Sequence, residues 1–317
     1  MKHLKATDYI EGIKRLRAEK NAIILAHYYQ TGDIQDIADF VGDSLALSQK
    51  AASNDADIIL FAGVKFMAET AKILAPEKKV LLPDMLAGCS LADSCKPDDF
   101  KKFIDDNPGR TVVTYVNTTA DIKALSDIIC TSSNAVQIVE SLPKDEKIIF
   151  APDRNLGNYV LNKTGRDILI WNGTCHVHEE FSLEAILKLK NENPDAKIIV
   201  HPECELPVRM VADYIGSTSS LLQFSKTDNA KTYIIATEAG IIHQMQKENP
   251  DKHYIPAPPK DSTCGCSECN FMKLITLEKI YNCLEMELPE IHVDKDILIK
   301  AQRPINRMLE ISKKLGL

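Results

Sequence analysis

The chain repeats itself three times, and this constrains its fold more than any single motif does. An apolar, strand-like run ending in a polar residue recurs as Ile23-Ile24-Leu25-Ala26-His27, Val112-Val113-Thr114-Tyr115 and Ile198-Ile199-Val200-His201. Twelve residues after the last position of each run stands an aspartate: Asp39, Asp127 and Asp213. Each aspartate opens a similar phrase, Asp39-Phe40-Val41-Gly42-Asp43-Ser44, Asp127-Ile128-Ile129-Cys130-Thr131-Ser132-Ser133 and Asp213-Tyr214-Ile215-Gly216-Ser217-Thr218-Ser219. A second strand-like run follows at Ile58–Ala62, Ile148–Ala151 and Tyr233–Thr237, and a third at Val80–Pro83, Ile168–Trp171 and His253–Pro256. Stretches of helical period, such as Phe66–Leu74 and Ile241–Glu248, lie between them. Strands alternating with helices predict parallel α/β layers. The repeat is too long for a solenoid unit. The expected fold class is α/β, with three pseudo-threefold-related α/β/α domains of short parallel sheets and an active site at their central junction. The repeat sets domain boundaries at 1–107, 108–195 and 196–270, with 271–317 as C-terminal helices packing back on the core.

Composition narrows the function. A net charge of −7 and no basic stripe argue against a nucleic-acid partner. The longest apolar runs, such as Ile58–Val64, are strand-sized and too short to span a membrane. Met1 to Lys20 is polar and charged, without the apolar core of a secretory signal, so a cytoplasmic location is expected. No Walker-type loop or Gly-x-Gly-x-x-Gly motif occurs, so neither ATP nor NAD is expected as a cofactor.

Nine cysteines are too few for a disulfide scaffold of this length and odd in number, which points to metal binding or catalysis in a reducing compartment. Cys130, Cys204 and Cys283 lie in or beside apolar stretches and read as inert core residues. Cys89 and Cys175 each follow the third strand of a repeat, with Pro108 and Pro194 each 19 residues downstream. The third repeat offers Cys264, Cys266 and Cys269. Pro289 lies 20 residues after Cys269, which selects that residue, whereas the upstream spacing favours Cys264 or Cys266 unless Ala257–Glu268 holds an insertion. Cys264 and Cys266 can alternatively form a regulatory disulfide. Ligands of open parallel sheets bind beyond the carboxyl ends of the strands, and a pseudo-threefold arrangement brings those ends together.

Three thiolates from three loops can hold zinc or an iron–sulfur cluster. Structural zinc normally takes four ligands, often in paired knuckles, and two of these cysteines are solitary. A [4Fe–4S] cluster on three cysteines leaves one iron open as a Lewis acid, which suits dehydration or condensation. Around the same centre, His27, Tyr29, Tyr115, Asn117, His178, His201 and Glu203 can hold or move protons. The His201-x-Glu203 spacing on a strand puts both side chains on one face. Ser44, Ser132 and Thr218 stand where loops enter helices, as ordinary N-caps or as anion-binding helix ends.

The motifs that carry a resemblance are spread over nearly the whole chain. They are Ala26-His27-Tyr28-Tyr29-Gln30, Gly42-Asp43-Ser44, Phe66-Met67-Ala68-Glu69, Pro83-Asp84 with Cys89, Tyr115-Val116-Asn117, Pro152-Asp153-Arg154-Asn155-Leu156-Gly157, Trp171-Asn172-Gly173-Thr174-Cys175-His176-Val177-His178 and His201-Pro202-Glu203-Cys204. In these the chain resembles the bacterial quinolinate synthase family of NAD biosynthesis. The resemblance implies three α/β/α domains and a [4Fe–4S] cluster on Cys89, Cys175 and Cys269 with the fourth iron open. Family members commonly carry Cys-Pro-aromatic-Met at the third ligand, and this chain has Asn270 in place of the proline. The implied reaction condenses iminoaspartate with dihydroxyacetone phosphate to quinolinate, with loss of phosphate and water. An aspartate oxidase or dehydrogenase is the implied source of iminoaspartate. His27, Ser44, Tyr115, Asn117, Ser132, His201, Glu203 and Thr218 are the implied substrate contacts, and Tyr29, His178, His201 and Glu203 the implied proton-transfer set. Rival readings are another iron–sulfur hydro-lyase and a non-enzymatic metal or redox sensor.

Overall fold

The computed structural model describes residues 5–261 and 267–317. Cys264 and Cys266, and with them the alternative of a regulatory disulfide, lie outside the described residues. Three four-stranded sheets form, every strand pair within them parallel. The first holds β1 (Ala22–His27), β2 (Phe40–Gly42), β3 (Ile58–Ala62) and β4 (Lys79–Leu81). The second holds β5 (Thr111–Tyr115), β6 (Ile128–Cys130), β7 (Ile148–Ala151) and β8 (Ile168–Ile170). The third holds β9 (Lys197–Val200), β10 (Tyr214–Ile215), β11 (Thr232–Ala236) and β12 (His253–Pro256). Strand order is the same in each: β2-β1-β3-β4, β6-β5-β7-β8 and β10-β9-β11-β12. The chain therefore reverses direction across each sheet beside its first strand, and the crevice beyond that strand's carboxyl end is where such sheets take ligands.

Each sheet has one strand more than the sequence pattern suggested. The additional strands, β2, β6 and β10, lie inside the phrases that follow Asp39, Asp127 and Asp213. At two or three residues they are too short to show a period of two. The recurring aspartates fix them. Asp39 Oδ2 accepts from Ile24 N at 2.8 Å while its own N–H donates to Ile24 O at 3.0 Å. Asp127 makes the same two bonds to Val112 (2.8 and 2.9 Å), and Asp213 to Ile198 (2.7 and 2.8 Å). Each aspartate is a two-point clip that satisfies both backbone groups of one residue in the repeat's first strand and places the next strand beside it.

The central strands are mostly apolar along their length, as expected of parallel strands covered on both faces. Ile59, Leu60, Val113, Ile149, Ile199 and Ile234 are all fully buried. One apolar core runs through the first and second repeats, while most of the third repeat packs in two smaller clusters. The helix Leu277–Met286 lies against Ala6–Glu19, and the long helix Lys295–Leu315 covers Ala120–Ala124, β6 and Lys65–Leu74. Among the described residues, no helix is long and apolar enough to cross a membrane.

Candidate active site

The strand ends of the three sheets meet at one cavity, where open parallel sheets bind their ligands. The first repeat contributes His27, Tyr29, Ser44 and Cys89, and the second contributes Tyr115, Asn117, Ser132, Cys175 and His178. His201, Glu203, Thr218 and Cys269 come from the third. Every site residue expected from the sequence thus lines this one cavity.

Local geometry differs from expectation in two places. Ser44 and Thr218 are not N-caps. They are the first helical residues, and the preceding side chains do the capping, Asp43 accepting from Ala46 N at 3.0 Å and Ser217 from Ser220 N at 3.3 Å. Ser132 lies in the turn before the cap Asn134. The Ser44, Ser132 and Thr218 side chains line the cavity instead. The second difference concerns His201 and Glu203. Strand β9 ends at Val200, so a tight turn rather than strand pleating brings them together, with Glu203 N–H donating to His201 Nδ1 at 3.4 Å.

That turn has a counterpart in the first repeat, where Tyr29 N–H donates to His27 Nδ1 at 3.2 Å. A ring nitrogen that accepts carries no proton, so both imidazoles are neutral with Nε2–H as their free donor. Burial enforces this, lowering His27 to about 4 and His201 to about 3.

A continuous hydrogen-bonded chain crosses all three repeats. Thr218 Oγ1 lies 3.0 Å from Tyr29 Oη, which lies 2.8 Å from Thr237 Oγ1. Thr237 Oγ1 is 3.0 Å from His178 Nε2, and His178 Nδ1 is 2.9 Å from Glu203 Oε2. Tyr115 Oη donates to Glu203 Oε1 at 2.5 Å. Burial alone would raise Glu203, but His178, His201 and the hydrogen bonds from His178 and Tyr115 outweigh it and hold the carboxyl below its usual range. The carboxylate gives the chain a direction. His178 donates through Nδ1, its Nε2 accepts from Thr237, and Tyr29 in turn donates to Thr237. Burial, with Glu203 nearby, keeps both tyrosines protonated well beyond the ordinary phenol range.

The cysteines divide by environment. Cys89, Cys175 and Cys269 are partly exposed, unpaired and face the cavity, whereas Cys95, Cys130, Cys204 and Cys283 are buried and outside it. Cys89 immediately precedes the short helix Ser90–Asp93, and Cys175 precedes His176–Glu179, neither side chain capping its helix. Cys269 precedes the turn Met272–Leu274. The residues between β12 and Cys269 include an excursion to the second repeat, with Ser182 N–H donating to Pro258 O at 3.0 Å and Lys260 N–H to Glu180 O. That excursion accounts for the longer upstream spacing of Cys269.

Burial pushes the Cys89 thiol up to about 12, and also raises Cys175 and Cys269. Ionising three such thiols together requires a positively charged partner. Sulfur donors select soft metals and iron–sulfur clusters, so the residues present fit a cluster. A second group, Cys175, His178 and Glu203, brings ligand atoms within 4.8 Å of one another. It is a poorer metal site, because both His178 nitrogens are already hydrogen-bonded. Asn117 Oδ1, on the cavity wall, is buried and without a hydrogen-bond partner, the condition of a polar atom awaiting a ligand.

Sequence reasoning missed four residues here. Thr237 is the middle of the hydrogen-bonded chain. Glu238 lines the cavity and is fully buried. Lys273 reaches Glu238 Oε1 at 2.8 Å and Tyr29 O at 2.7 Å. Lys123, also fully buried, donates to Thr118 O and lies over the ring of the cavity residue Phe66, and burial lowers it to about 8. One signal was available. Asp153 and Glu238 are equivalent, since each stands two residues after the alanine that ends the second strand of its repeat.

Comparison with known proteins is consistent with this architecture. Residues 11–310 match the family described as Quinolinate synthetase A protein. The chain is 59% identical over 305 residues to a quinolinate synthase of Microcystis aeruginosa, covering 96% of this chain and 95% of that protein. Quinolinate synthases of Thermosynechococcus vestitus (57% identity over 96% of each chain) and Chloroherpeton thalassium (53% over 98% of this chain and 97% of that one) are similar to it as well. The chain belongs to the quinolinate synthetase A family.

Proposed function

We propose that the chain condenses iminoaspartate with dihydroxyacetone phosphate to quinolinate, releasing phosphate and two molecules of water, as a step of NAD biosynthesis. The observation that carries the reading is one cavity in which three unpaired thiols, three neutral or paired imidazoles and a directed hydrogen-bonded chain converge from three repeats. Cys89, Cys175 and Cys269 would hold a [4Fe–4S] cluster. The chemistry that such a cluster supplies is Lewis acidity at an iron without a protein thiolate, suited to expelling a hydroxyl.

The chain's own residues supply binding and proton transfer. Ser44, Ser132 and Thr218 offer hydrogen bonds to carboxylate and phosphate oxygens, and Asn117 Oδ1 accepts from an N–H or O–H of the substrate. The Nε2–H groups of His27 and His201 donate to carbonyl or carboxylate oxygen without adding charge. Tyr29 gives a proton to the substrate and is replenished from Thr218, whose hydroxyl is left to donate to it. Glu203 accepts protons released in imine formation and tautomerisation, and His178 passes charge between Glu203 and Thr237. An oxidase or dehydrogenase acting on aspartate would supply the iminoaspartate.

Anaerobically prepared protein given both substrates should form quinolinate. A fully iron-loaded protein that forms none contradicts the proposal, and a different dehydration catalysed at the same cavity would replace it with a hydro-lyase reading.

A further inference from the structure

The Cys269 segment is held by an ion pair that the reaction does not use. Glu238 follows β11 and is fully buried, and its hydrogen bonds go to this segment or its own turn. Its Oε1 accepts from Cys269 N–H at 3.0 Å and from Lys273 Nζ at 2.8 Å, and its Oε2 accepts from Gly240 N–H at 2.7 Å. Lys273 also donates to Tyr29 O at 2.7 Å. One carboxylate and one ammonium therefore join a thiol of the third repeat to the strand-end turn of the first.

Neighbouring contacts seat this junction. Ala239 N–H donates to Ser267 O at 2.9 Å, and Ser267 Oγ donates to Ala257 O at 2.9 Å. The Gln35 amide donates to Tyr28 O, Gln30 O and Gly240 O at 2.8–2.9 Å. A Cβ on Gly240 would sit 2.9 Å from both Tyr28 O and Gln30 O, so only glycine allows the two turns to approach this closely. Cys89 and Cys175 are set at the heads of short helices, and the Cys175 backbone N–H is bonded to Asp153, the counterpart of Glu238 in the second repeat.

We propose that Glu238 and Lys273 are a positioning pair that fixes Cys269 as the third cluster ligand and registers it against Tyr29. The inference rests on the cluster reading above. Charge-assisted bonds to a backbone N–H and a backbone carbonyl hold geometry better than neutral ones. Groups that orient a metal ligand from outside typically change metal retention about 10- to 100-fold when removed.

The test compares wild type with Lys273→Met, Lys273→Arg and Glu238→Gln. Iron release from anaerobically reconstituted protein to an excess of chelator should be about tenfold faster in Lys273→Met and Glu238→Gln, with Lys273→Arg close to wild type. In cluster-free protein, peptide mapping after iodoacetamide treatment should show Cys269 alkylated faster in those two variants and Cys89 unchanged. Circular dichroism checks folding, and if Glu238→Gln does not fold, the Lys273→Met and Lys273→Arg pair decides. Unchanged iron release and unchanged Cys269 alkylation overturn the proposal, as does an equal acceleration at Cys89. A wild type that binds no iron while Lys273→Met still exposes Cys269 selectively would sink the cluster reading and retain the clamp.

Discussion

Thr237→Val cuts the hydrogen-bonded chain at its middle while nearly preserving shape. The hydroxyl is fully buried and joins Tyr29 Oη at 2.8 Å to His178 Nε2 at 3.0 Å. Two hydrogen bonds are lost, each worth about 1 kcal/mol net. His178 Nε2 is then a buried acceptor without a donor, whereas Tyr29 keeps Thr218 at 3.0 Å. The expected cost in stability is about 2–3 kcal/mol. If the interrupted chain removes about 2 kcal/mol of transition-state stabilisation, kcat falls about 30-fold. KM should change little, because Thr237 does not line the cavity. Thr237→Ser keeps the oxygen and should remain within about threefold of wild type. The assay is anaerobic quinolinate formation at matched iron content, with urea unfolding of the same samples. A valine variant with wild-type kcat, or a serine variant as impaired as valine, refutes the chain as a functional unit.

Tyr115→Phe removes the 2.5 Å donor to Glu203, which favours the ionised carboxylate. The Glu203 pKa rises, so the acid limb of the pH–rate profile should move to higher pH and kcat should drop about tenfold; an unmoved limb contradicts the assignment. His27 and His201 take up protons only near pH 4 and 3, against 6.5 when unfolded. The unfolded chain therefore binds more protons below 6.5, so their contribution to stability is complete above 6.5 and is lost as pH falls toward those values. Nitrogen-15 spectra at pH 5.5 should show both rings as neutral Nε2–H tautomers, and titration near 6.5 would contradict the burial argument. Cys130→Ala should leave iron content at the wild-type level, because that thiol is buried outside the cavity, whereas Cys89→Ala should abolish stable loading.

The repeat made the architecture legible because each strand end carries polar residues at matched spacing, and a parallel α/β unit has one place to put them. Two of the three thiols were legible in the same way, at equivalent positions in two copies. Cys269 was harder, since Pro258–Lys260 pairs with the second repeat and displaces it from register. The short strands β2, β6 and β10 left no periodic trace, although Asp39, Asp127 and Asp213 marked where they begin. Thr237 looked like the last residue of a strand, and its partners come from two other repeats. Lys273 lies 244 positions from the carbonyl it meets at Tyr29, a separation across which neither propensity nor period carries information. The N-caps were misplaced by one residue because Asp43 and Ser44, and Ser217 and Thr218, are all good capping residues. Only the helix geometry distinguishes them.

Iron-57 Mössbauer spectroscopy of anaerobic protein, with and without quinolinate, tests the central claim most directly. Three thiols holding a [4Fe–4S] cluster predict four irons per chain with one subsite distinct from the other three, and that subsite alone should respond to the added product. Four equivalent irons indifferent to quinolinate, or a chain that retains its iron after Cys269→Ala, would contradict it.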